Sequence, residues 1–212
     1  MTLKKLLLSA VAVLASASSA FAACTVNTTP QVGVICDVSR NATYSAVSVN
    51  LVPASAATDL FCIAPSASKT VSLRRLSIAG TAGTAITTPF LVYRRAALDT
   101  GGTAATGLAL PVAGAHSSSD TASAAALTAY TANPTINDSS PTLLDALVVD
   151  LPVTTAAGGN TEVMHTYGTG MIDLFSKGLD ATKATTQQIC VNANGASISS
   201  GVLTIHMEWQ EN

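Results

Sequence analysis

The stretch Val202-Leu203-Thr204-Ile205-His206-Met207-Glu208-Trp209-Gln210 decides the fold. Leu203, Ile205, Met207 and Trp209 share one parity, and Thr204, His206, Glu208 and Gln210 share the other. Successive side chains on a strand point to opposite faces, so a period of two describes a strand with one buried and one wet side. Working outward, short apolar runs recur at 32–38, 44–52, 60–64, 70–79, 89–96, 143–151, 162–166, 171–175 and 187–193, separated by clusters of Gly, Pro, Ser, Thr and Asn. Many short strands with turn signals between them predict an all-β chain, a single antiparallel β-sandwich with at most one short helix. Within 70–79 the alternation slips, because Val71 and Leu73 share a parity that Leu76 and Ile78 do not. A β-bulge near Arg74-Arg75 returns all four to one face.

One segment departs from this pattern. Asp120 is a candidate N-cap for the Ala-rich stretch 121–130, which Asn133-Pro134 ends, and this predicts the short helix. The stretch 99–119, with Gly101-Gly102 and three serines at 117–119, reads as a long surface loop, and 154–161 as a shorter one.

Composition narrows the class. The chain has 212 residues, of which 48% are hydrophobic, 10% charged and 4% aromatic, and much of the apolar share is Ala. This excludes a collagen, a coiled coil and a charged disordered tail. With a net charge of −2 and no run of Lys or Arg, the chain lacks the clustered cations needed to capture nucleic acid or an anionic membrane.

Lys4 and Lys5 precede an apolar run at 6–14, and Ala20-Phe21-Ala22 forms an A-x-A cleavage site. Residues 1–22 therefore read as a bacterial-type secretory signal, too short in its apolar part to span a bilayer. The mature chain is expected in the periplasm, at the cell surface or outside the cell, with no membrane insertion. Residues 23–59 form an N-terminal extension with an expected disulfide hairpin, and 60–212 form the sandwich. Cys24 stands where a lipoprotein cysteine would, but Phe21 occupies a place where a small aliphatic residue is usual, which argues against lipidation.

Export gives the cysteines a meaning. Cys24, Cys36, Cys62 and Cys190 are even in number, with no C-x-x-C and no His at metal-ligand spacing, so two disulfides are expected and zinc is not. Of the three connectivities, Cys24–Cys36 with Cys62–Cys190 is favoured. The first spacing suits a hairpin, and the other two cysteines sit inside strand-like runs.

A catalytic set is hard to assemble. The three histidines are His116 in a serine-rich loop, His165 at a strand end before Tyr167, and His206 on the wet face of the last strand. No nucleophile elbow, zinc-protease motif, phosphate loop or dinucleotide fingerprint is present, and no cofactor is implied. Asp145 and Asp150 are an odd number of residues apart on one strand and so point to opposite faces, while Asp37, Asp59, Asp99, Asp120 and Asp138 occupy turn-like places. Trp209, the single Trp, belongs to the buried face, which weakens a sugar-stacking reading. The pairs Arg74-Arg75 and Arg94-Arg95 are candidate interface residues. One member of each pair leans toward a buried side, either snorkelling at a sheet edge or pairing across a subunit interface.

The blocks PSASKTVSLRRLSIAGTAGTA (65–85), FLVYRRAALDTGG (90–102), LTAYTANPT (127–135) and VNANGASISSGVLTIHMEWQE (191–211) resemble a recurring type of small β-rich protein encoded among phage structural genes. The resemblance covers most of 60–212. It implies a virion accessory protein, such as a head decoration or fibre-like component, jelly-roll-like and trimeric. The secretory signal and the Cys-bearing stretch 23–59 lie outside it, which fits a phage-derived domain placed at the cell surface or outside the cell. The expected function is thus a non-catalytic structural or assembly protein that forms a homo-oligomer. The alternative is a cell-surface adhesin or ligand-binding module whose loops at 101–119 and 154–161 meet a surface protein or glycan.

Overall fold

A computed structural model describes residues 24–26, 34–36, 41–66, 69–154, 162–167, 187–198 and 200–211. The leader expected at 1–22 and the strand expected at 171–175 lie outside the described residues. The chain divides into two compact units, 1–41 and 42–212. In the first, β1 (Cys24–Val26) and β2 (Val34–Cys36) form an antiparallel pair that sets Cys24 directly opposite Cys36.

The second unit is an antiparallel sandwich. One sheet contains β3 (Ala42–Leu51), β5 (Val71–Thr81), β8 (Gly114–Ala115), β11 (Val163–Thr166) and β13 (Val202–Glu211), in the order β11-β5-β13-β3-β8. The other contains β4 (Asp59–Ala64), β6 (Ile86–Arg95), β7 (Thr103–Ala104), β9 (Ala126–Ala132), β10 (Thr142–Leu151) and β12 (Gln188–Asn192), in the order β10-β6-β12-β4-β9-β7. Setting aside β7, β8 and β9, which all lie between β6 and β10, eight strands remain. Their order is sixth-third-eighth-first in one sheet and fifth-fourth-seventh-second in the other. The chain changes sheet at almost every step, which is the double Greek key of a jelly roll.

The sandwich begins at 42, whereas the sequence places its start at 60. Strand β3 lies beside β13 from Ala42↔Glu211 to Leu51↔Leu203, a pairing between distant parts of the chain that no local pattern announces. The core follows the predicted parity. Leu203, Ile205, Met207 and Trp209 are at most 1% exposed, as are Val71, Leu73, Leu76 and Ile78. The register between β5 and β13 shifts between Arg75 and Leu73, so the expected bulge is present and brings both halves of β5 inward. Opposite them lie Phe61, Ile63, Phe90, Val92, Leu147, Val149, Ile189 and Val191, also at most 1% exposed. Each such side chain contributes about 1.5–3 kcal/mol on burial.

The helix expected at 121–130 is not formed, and 126–132 is β9, paired with β4. The Glu211 carboxylate accepts bonds from the Ala124 and Ala125 N–H groups and from the Ser123 hydroxyl, and the Tyr44 hydroxyl donates to the Thr121 carbonyl. These contacts hold 121–125 extended at the entry to β9 and override local Ala propensity. The long loop expected at 99–119 contains β7, a 3-10 turn at Gly107–Ala109 and β8. It crosses from one sheet to the other and closes one margin of the sandwich. Among the described residues, no helix is long and apolar enough to cross a membrane.

Candidate functional site

The outer face of the six-stranded sheet carries a buried polar cluster. Its floor is set by register. Cys62 on β4 lies directly opposite Cys190 on β12, and the two form a disulfide, as expected. Gln188 and Asn192 lie two positions to either side of Cys190 and therefore share its face. Gln188 lies opposite Arg95 on β6, and a bulge in the ladder sets Asn192 opposite Asp59.

Arg95 and Asp59 form a buried two-point ion pair, with Nε to Oδ2 and Nη2 to Oδ1 at 2.6 Å, and both side chains are at most 2% exposed. Asn192 Nδ2 donates to the same Asp59 Oδ1 at 2.5 Å. A planar guanidinium meeting a carboxylate along two parallel bonds, with a further donor on the acid, is the geometry that offsets the desolvation of burying both charges.

The roof comes from the chain just after β6. Asp138 accepts the Ala96 N–H at 2.7 Å, Asn137 donates to the Leu98 carbonyl at 2.8 Å, and Thr100 and Thr135 exchange backbone bonds. This strap places Asp99 over the disulfide, with Oδ2 at 3.7 Å from Cys62 Sγ and 3.9 Å from Cys190 Sγ. Disulfide sulfurs have no proton to donate, so these are contacts without a hydrogen bond. The Asp99 carboxyl is pushed up to about 7, first by burial and then by the neighbouring Asp59, with Arg95 opposing. A pocket of about 110 Å³ opens beside it, lined by Cys62, Leu98, Asp99, Thr128, Tyr130 and Gln188 among others. Asp99 Oδ1 and Gln188 Nε2 are buried there with no hydrogen-bond partner.

A second cluster joins the two sheets at the opposite margin. Asp145, which follows a register shift in β10, accepts a bond from the Tyr167 hydroxyl at 2.6 Å and lies 2.7 Å from His165 Nδ1, all on one carboxylate oxygen. Burial works to raise the Asp145 carboxyl, but donation from Tyr167, His165 and the Ala146 N–H outweighs it and holds the group below the ordinary carboxylate range. Burial, followed by the same carboxylate, raises the Tyr167 hydroxyl. Asp150 points the other way and accepts the Thr87 hydroxyl at 2.5 Å, so the two acids stand on opposite faces.

The remaining residues singled out in the sequence are dispersed. Arg74 donates to Gln210 Oε1 at 2.7 Å through Nη2 and at 3.1 Å through Nε, and Arg75 pairs with Glu208 at 3.6 Å. Arg94 is exposed, whereas Arg95 is spent on Asp59 within its own chain and does not reach the surface. His206 lies on the outer face of β13, where burial and then Arg75 lower its basicity. Trp209 is fully buried, stacked on Tyr44 at 5.9 Å between ring centroids.

Sequence reasoning treats Asp59 and Asp99 as turn residues and does not single out Gln188 or Asn192. One usable signal exists: Asp59 immediately precedes the wholly apolar run Leu60-Phe61-Cys62-Ile63, so it enters the sheet with that run. The margin formed by β3 and 107–114 carries a different surface. A groove of about 490 Å³ is lined by Val47, Val49, Leu108, Leu110, Val112 and neighbouring small residues, none of them charged. No protein-family model, curated protein or solved structure matches the chain.

Proposed function

We propose that the chain is an exported, non-catalytic structural protein that assembles with copies of itself, in keeping with its resemblance to phage head decoration and fibre-like proteins. The observation that carries this reading is the uncharged apolar margin along β3. Val47, Leu108, Leu110 and Val112 are 37%, 74%, 46% and 71% exposed, on neighbouring stretches of one groove. Apolar residues grouped in this way mark an interaction surface. Among the described residues β8 pairs with β3 only at Tyr44 and Ser45, and beyond it the 3-10 turn at Gly107–Ala109 lies along β3, held by the Ser48 hydroxyl on the Ala109 carbonyl, so that Leu108 and Val47 stand outward together. A partner chosen by charge finds nothing to hold there, whereas a second copy presents the same uncharged apolar side chains.

Two observations support the rest of the reading. The Cys62–Cys190 disulfide and the direct opposition of Cys24 and Cys36 suit an oxidising destination. The Asp145 cluster has a carboxylate at its centre, with imidazole and phenol both bound to one oxygen. Both bonds run from residues at the end of β11 to one on β10, so the arrangement ties the two edge strands together.

Light scattering after size exclusion tests the proposal. The oxidised protein is expected as a discrete oligomer, and Val47→Lys with Leu108→Glu is expected to yield a folded monomer. A wild-type monomer at high concentration would overturn it.

A further inference from the structure

The cluster over the disulfide holds two sulfurs and two carboxylates, and the donor atoms of Asp59, Cys62, Asp99 and Cys190 all lie within 4.8 Å of one another. We propose that reduction of Cys62–Cys190 unmasks a metal site, in which both thiolates and the Asp99 carboxylate hold a borderline-soft divalent cation such as Zn²⁺.

The geometry is close to what such an ion requires. Metal–sulfur bonds of about 2.3 Å and metal–oxygen bonds of about 2.0 Å at tetrahedral angles place sulfur and oxygen about 3.5 Å apart, and the two sulfurs about 3.7 Å apart. Asp99 Oδ2 already lies 3.7 and 3.9 Å from the two sulfurs, nearly equidistant. Cys62 and Cys190 face each other with Cα atoms 4.1 Å apart, so two thiols released there reach a common ion by side-chain rotation within the sheet. The strap that sets Asp99 is pinned through Asp138 and Asn137 and does not depend on the disulfide. Asp59 is committed to Arg95 and Asn192, which leaves three protein ligands. The fourth position faces the 110 Å³ pocket, where Gln188 Nε2 and Asp99 Oδ1 stand without partners. Three protein ligands with an open fourth position form a site that exchanges water or takes a small anion.

The chemistry balances. A dithiol reductant supplies two electrons and two protons, which split the Sγ–Sγ bond into two thiols while the reductant closes to its own disulfide. The divalent ion then displaces both thiol protons to solvent. The same sulfurs serve either as a cross-strand bond or as ligands, never both.

The test uses the full chain, reduced with dithiothreitol, freed of reductant without air and titrated with Co²⁺, whose thiolate charge-transfer and tetrahedral d–d bands report the ligands. One equivalent is expected to saturate the bands. They should persist in Cys24→Ser/Cys36→Ser and vanish in Cys62→Ser/Cys190→Ser, and because losing even an outer-shell partner costs about 10–100-fold, Asp99→Asn should weaken binding by at least about tenfold. If reduction loosens the fold, Zn²⁺ is expected to restore the thermal transition. A reduced chain that shows no charge-transfer band and gains no stability from Zn²⁺ would overturn the site. Bands that survive loss of Cys62 and Cys190, or an affinity unchanged in Asp99→Asn, would do the same.

Discussion

Asp99 carries a cost that depends on pH. Its carboxyl ionises near 3.8 in an unfolded chain and at about 7 in the oxidised, folded one. Between those values the folded state holds the extra proton, so stability falls as pH rises through that window and levels off above it. Asp99→Asn is expected to flatten this slope in thermal unfolding followed from about pH 4 to about pH 8. Arg95 acts in the opposite sense. Replacing it with Met leaves Asp59 buried without its cation, and chemical denaturation should show a loss of about 3–5 kcal/mol. The double variant Arg95→Met/Asp59→Leu removes both charges and should recover much of that loss. Neither residue's role was legible from its neighbours. Arg95 reads as one of a basic pair and Asp59 as a turn acid, and only the pairing of β6, β12 and β4, drawn from 133 residues of sequence separation, brings Asp59 to Asn192.

Elements are held by a few contacts of this kind. Asp145, His165 and Tyr167 join the edge strands β10 and β11 across the two sheets. Because the folded Asp145 carboxyl is held below its ordinary value, its contribution is complete above about pH 4 and is lost as pH falls through the lowered value. Asp145→Asn should therefore lower the unfolding midpoint at neutral pH and narrow the difference from wild type in strong acid. Glu211 performs the corresponding task at the start of β9, with Trp209 Nε1 donating to it at 3.1 Å. The strands themselves were legible where alternation is strict, as in Val202–Glu211, and even the bulge in β5 followed from a parity slip. The Ala-rich stretch before Tyr130 was not. Alanine permits helix and strand alike, and the decision is made by β4 and by a carboxylate more than 80 residues away. The candidate site was still less visible, since periodicity reports which face is buried and says nothing about which polar groups meet there.

The sandwich, among its described residues, is tied by one cross-link and one central strand. Cys62 and Cys190 are 128 residues apart, and closing so long a loop in the unfolded chain is worth about 4–5 kcal/mol in the chain-entropy account. Cys62→Ser/Cys190→Ser should lose stability of that order without losing the sandwich, as circular dichroism and denaturant titration would show. Gly201 has a similar reach. A Cβ there would lie 2.1 Å from the Thr81 carbonyl oxygen, so Gly201→Ala must push β5 and β13 apart at their junction. The position of β13 has a consequence in time. It lies between β3 and β5, yet it follows every other strand of the sandwich in the chain. A polypeptide that emerges from the ribosome in order exposes two unsealed half-sheets until this last strand arrives. Its folding therefore ends on a long-range closure, in which the sandwich's last strand seats itself between its first and its third.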